Sequence, residues 1–118
     1  MDRATLTAER DRVAARVASL RHELASLAEE QALTSHDDEH DPEGVTIAVQ
    51  RAQLQGLLAA AERERDDLDR AVDRLASGAY GTCGECGGPI APERLAALPA
   101  ATTCIACASR PRRRRTAR

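Results

Sequence analysis

The sequence predicts a mainly α fold, a long antiparallel coiled-coil helical hairpin followed by a small module gathered around four cysteines. Three observations carry that prediction. Apolar residues recur at coiled-coil spacing in two separate stretches, an acidic segment containing Pro42 and Gly44 divides them, and Cys83, Cys86, Cys104 and Cys107 form two close pairs beyond the second stretch. Composition points the same way: of 118 residues none is Phe or Trp, one is Tyr, and 31% are charged. Ala, Leu and Val mixed with that much charge suit helices packed along narrow seams better than a thick globular core.

In the first stretch Leu6, Val13, Val17, Leu20, Leu24 and Leu27 follow one another in steps of seven, four and three, the spacing of a coiled-coil seam. No Gly or Pro interrupts residues 1–41, so a single helix is expected to run to about Leu33. Arg10 and Gln31 fall on the same seam and must extend toward water from it.

From Thr34 to Gly44 the periodicity is lost, and Asp37, Asp38, Glu39, Asp41 and Glu43 collect beside His36 and His40. With Pro42 and Gly44 among them, this is where the chain turns back. Asp41 can cap a second helix that has Pro42 at its first position, where the missing amide costs nothing. The second helix carries Ile47, Leu54, Leu58, Ala61, Leu68, Val72 and Leu75 on its seam, with Arg51 and Arg65 at two further seam positions. Two helices of similar length joined by a short turn bury their stripes only by packing antiparallel. Gly78 is suited to the left-handed position that ends the second helix. The hairpin thus spans residues 1–76 with its acidic tip at 34–44, the cysteine module spans 77–109, and 110–118 form a basic tail.

Cys83-Gly-Glu-Cys86 and Cys104-Ile-Ala-Cys107 are two C-x2-C pairs separated by seventeen residues, within the window that reads as a four-cysteine zinc site. Two disulfides or a redox-active pair are the competing readings. The first residues hold no apolar stretch long enough for a signal peptide or membrane span, so the cytoplasm is the expected compartment, and its thiols stay reduced. Gly84, Gly87 and Gly88 fall where a zinc knuckle needs tight turns. Four thiolates leave no open coordination position, so the expectation is one structural zinc ion in a C4-type zinc finger, a staple for a domain with little core. No nucleophile triad, phosphate loop or acid pair points to catalysis, and His22 reads as an exposed helix residue.

Charge is distributed unevenly. All seventeen basic residues are Arg and six of them lie in 110–118, which leaves the rest of the chain with an excess of eight negative charges. Such a tail can meet nucleic-acid phosphates or an acidic protein surface, or remain solvated. It contains no aromatic residue, so base stacking is not indicated.

Gly78-Ala-Tyr80-Gly-Thr-Cys83-Gly-Glu-Cys86-Gly-Gly-Pro89-Ile90, Arg94-Leu95, Pro99 and Cys104-Ile-Ala-Cys107, preceded by a hairpin with an acidic tip, resemble the DksA/TraR family of bacterial zinc-finger proteins. The resemblance implies a regulator that binds RNA polymerase, inserts the hairpin tip into the secondary channel, keeps its zinc module near the rim, and makes no sequence-specific DNA contact. It would place Asp37, Asp38, Asp41 and Glu43 at the partner. The family's tip pattern is Asp-Pro-x-Asp-x-Ala; here Asp41-Pro42 is followed by Gly44 and Thr46 at the later two places. What carries over is polymerase binding; a hairpin that pairs its own seams has little need of a second chain, so a monomer is expected, with no catalysis and no membrane partner. A zinc-stabilised adaptor with another protein partner is the alternative, and a nucleic-acid binder acting through the Arg tail ranks after both.

Overall fold

A computed structural model describes residues 1–34 and 42–111. They form four helices, α1 (Arg3–Thr34), α2 (Pro42–Ser77), α3 (Pro92–Ala97) and α4 (Ile105–Ser109). Among the described residues, extended pairing is limited to an isolated bridge between Thr82 and Pro89. The mainly α expectation holds. Asp37, Asp38 and Asp41, the proposed helix cap among them, lie outside the described residues, as do 112–118. No helix among the described residues is long and apolar enough to cross a membrane.

The apolar pattern does not say where α1 begins; Asp2 does. Its carboxylate accepts the Thr5 amide at 2.8 Å and its carbonyl accepts the Leu6 amide at 3.0 Å, an N-cap that satisfies donors a helix start otherwise leaves open.

The chain divides into two compact units, Ala8–Asp67 and a second that joins Met1–Thr7 to Leu68–Arg118. In the first, Val17, Leu20 and Ala61 form a buried cluster with Leu54 and Leu58 packed against it. Burying a side chain such as Val17, 2% exposed, contributes about 1.5–3 kcal/mol. The cross-links fix the direction: Arg16 bonds Glu64 at 3.3 Å, Arg21 bonds Glu62 at 2.7 Å, and Arg51 bonds Gln31 at 3.1 Å. Partners descend α2 as positions climb α1, so the arms run antiparallel. These contacts are exposed and each is worth under about 1 kcal/mol, enough to favour a register but not to hold the fold.

Seam positions Leu24, Leu27, Leu54 and Leu58 are half-buried, because two helices alone leave the flanks of their shared stripe uncovered. The seam arginines behave as their chemistry requires. Arg10 and Arg65 keep 33% and 28% of their side chains exposed and turn to the adjacent carboxylates of Asp11 and Asp66, stems on the seam and charges outside it.

In the second unit Leu6, Leu68 and Ala71 are fully buried. Ala71 was not a predicted seam position; its methyl is small enough to sit in an interface without a strong apolar signature. Gly78 closes α2 at φ 85°, the left-handed geometry expected of it. Just past it, the Ala79 amide donates back to the Arg74 carbonyl at 2.8 Å, as in helix endings of this type.

Candidate metal centre

The first cysteine pair sits on a tight reversal between Gly81 and Ile90. The Cys83 amide donates to the Gly88 carbonyl at 2.7 Å, the Gly87 amide to the Cys83 carbonyl at 2.9 Å, and the Ile90 amide to the Gly81 carbonyl at 2.8 Å. Gly81 and Gly87 turn the chain at φ 87° and 75°, conformations costly for any residue with a Cβ. This curl points amides at sulfur: Glu85 N–H donates to Cys83 Sγ at 3.4 Å and Gly88 N–H to Cys86 Sγ at 3.4 Å.

The second pair is built differently. Cys104 is the N-cap of α4, its sulfur accepting the Cys107 amide at 3.5 Å, and Cys107 follows within the helix. The segment leading to it has no regular structure, yet its carbonyls are claimed from four directions. Tyr80 Oη donates to Pro99 O at 2.8 Å, Arg74 Nη2 to Ala100 O at 3.4 Å, Gly84 N to Thr102 O at 2.8 Å and Arg94 Nε to Thr103 O at 2.9 Å. A loop of irregular backbone is thereby held firmly enough to aim Cys104.

These two constructions bring the four sulfurs within 4.8 Å of one another, with Cys86 Sγ and Cys104 Sγ 3.9 Å apart. A tetrahedral zinc–thiolate site with bonds of ~2.3 Å requires sulfurs ~3.8 Å apart, so the donor set fits the ion. All four cysteines are free rather than bridged, which removes the disulfide reading. One side of the quartet is apolar: Cys83, Ile90 and Leu95 form a buried cluster, with Tyr80, Ala101, Cys104 and Cys107 packed on it. Tyr80 is thus a packing residue of the module.

As free thiols the cysteines would not ionise together. Backbone amides, that of Cys86 foremost and then that of Cys104, hold Cys83 down at about 6, and the Cys107 amide lowers Cys104. Burial pushes Cys107 up to about 12, reinforced by the neighbouring thiols. A bound zinc ion supplies the positive charge that lets all four stand as thiolates.

Several contacts escaped the sequence reading, that of the motif residue Arg94 included. Arg74, Arg94 and Thr102 act on the module through long-range contacts with carbonyls or amides. Arg110, grouped by composition with the tail, reaches Cys107 Sγ at 3.6 Å; its place three residues after Cys107 was the available signal. Of the proposed tip residues, Glu43 lies in the first turn of α2, and Asp37, Asp38 and Asp41 fall outside the described residues. His22 is exposed on α1 as expected.

A mainly helical chain with a closed four-cysteine site at its C-terminal end defines a C4-type zinc-finger protein whose metal is structural. Residues 78–113 match the prokaryotic dksA/traR C4-type zinc finger. Among solved structures, the transcription factor DksA2 from Pseudomonas aeruginosa is similar at 31% identity and a TM-score of 0.75, over 90% of this chain and 76% of that one. No curated protein sequence matches the chain. The chain belongs to the DksA/TraR family and is a transcription factor of that type.

Proposed function

We propose that this protein regulates transcription by binding RNA polymerase and inserting the tip of its hairpin into the secondary channel. The observation that carries this reading is the extent of the likeness to DksA2: it covers 90% of the chain, well beyond the zinc finger at 78–113. Within Ala8–Asp67 the two helices run antiparallel, cross-linked by Arg16–Glu64, Arg21–Glu62 and Arg51–Gln31, the arrangement a channel-entering hairpin requires.

In this reading Asp37, Asp38, Asp41 and Glu43 are carried toward the polymerase active centre, where carboxylates can interact with bound magnesium or its ligands. Gly44 and Thr46 depart from the family's tip pattern, so the reading rests on docking and not on a particular effect at the promoter. The protein works in the cytoplasm as a monomer, without catalysis of its own and without sequence-specific DNA contact.

Capture of polymerase from cell extract by the zinc-loaded protein tests the reading. Recovery of the core subunits at mild salt is the expected result. Their absence, with other proteins retained, would leave a zinc-stabilised adaptor instead.

A further inference from the structure

Zinc with four thiolates carries two net negative charges, here set against an apolar floor of Cys83, Ile90 and Leu95. The sulfur contacts made by the amides of Glu85, Gly88 and Cys107 come from neutral donors. Arg110 brings something different: a guanidinium with a full charge, its Nη2 3.6 Å from Cys107 Sγ. The placement follows from α4. Residues three apart share a helix face, and the Arg110 amide donates to the Cys107 carbonyl at 3.3 Å where the helix ends, which anchors the backbone from which the side chain returns.

We propose that Arg110 is a positioning residue of the zinc site, holding the Cys107 thiolate by a charge-assisted hydrogen bond and slowing loss of the metal to acid and to chelators. A donor that is always protonated offsets part of the excess negative charge at every accessible pH. The bond lies on the solvent side of the module, since Arg110 is exposed and Cys107 half-buried; its contribution therefore weakens as salt rises. Arg110 belongs to the metal module, and the tail proper begins after Pro111.

Three full-length, zinc-loaded variants test this: Arg110→Gln, Arg110→Lys, and one with Arg112, Arg113, Arg114 and Arg115 all changed to Gln. Zinc transfer to a chromogenic chelator is followed at low and high salt, and the thiolate-to-metal charge-transfer band is recorded after cobalt substitution. Arg110→Gln is expected to weaken metal binding about ten-fold, the scale of a lost partner behind a metal ligand, and to shift the cobalt band. Arg110→Lys recovers part of the loss, and the tail variant matches the unsubstituted protein. Equal zinc retention and an unmoved band in Arg110→Gln would overturn the assignment. So would a tail variant as impaired as Arg110→Gln, because any nearby positive charge would then suffice. An unsubstituted protein that takes up no zinc would instead remove the zinc reading itself.

Discussion

The hydroxyl of Tyr80 donates to the carbonyl of Pro99 at 2.8 Å, joining the chain just after α2 to the segment that delivers the second cysteine pair. Burial raises the Tyr80 hydroxyl above its ordinary value, so it stays a neutral donor through the physiological range. Tyr80→Phe removes the bond and keeps the ring. The expected cost is about 1 kcal/mol, read as a lower denaturant midpoint for the zinc-loaded protein with its zinc content unchanged. An unshifted midpoint would show that the bond contributes nothing.

Cys83 is the most enclosed of the four ligands, at 2% exposure. Cys83→Ser removes a thiolate from a site in which coordination and folding are coupled. Zinc content by elemental analysis should fall to background, and residues 78–110 should lose protection from proteolysis. A variant that keeps one zinc per chain would refute the assignment of Cys83 as a ligand.

Acid should release the metal. Cys83 is depressed to about 6 from an ordinary 9.0, so its thiolate contributes stability that is fully present above the unfolded value and is lost as pH falls through about 6. Bound zinc opposes protonation further. Zinc should be retained at neutral pH and released on acidification in a chelator titration, because protons compete with the metal for all four sulfurs. Release centred above neutrality would contradict the amide-stabilised site.

At the tip, Asp41→Ala should leave affinity for polymerase roughly intact while changing the effect on transcription. Equilibrium binding and transcription in vitro, measured side by side, separate the two. A large loss of affinity would make Asp41 an anchor instead of an effector.

The parts of this fold legible in the sequence are those that repeat or cluster. The seams could be read because Val17, Leu20, Leu54, Leu58 and Ala61 keep coiled-coil spacing, and the zinc quartet because two C-x2-C pairs have few other uses. Gly78 was legible because a glycine at the end of an apolar period has a known conformational purpose. Ala71 was not, since alanine is common on every helix face. The clamp on residues 99–103 was invisible for a stronger reason: Arg74, Tyr80 and Arg94 bond to carbonyls 9 to 26 residues away, and every residue has a carbonyl. Arg110 was hidden by its neighbours, a functional charge at the edge of a run of like charges.

The most direct test of the central claim places a hydroxyl-radical cleavage probe at position 41 of the zinc-loaded protein and adds core RNA polymerase. Saturable binding with cleavage confined to polymerase segments around the active centre is the predicted result. Saturable binding with cleavage only on the enzyme's outer surface, or no binding at low micromolar concentration, would contradict insertion of the hairpin tip.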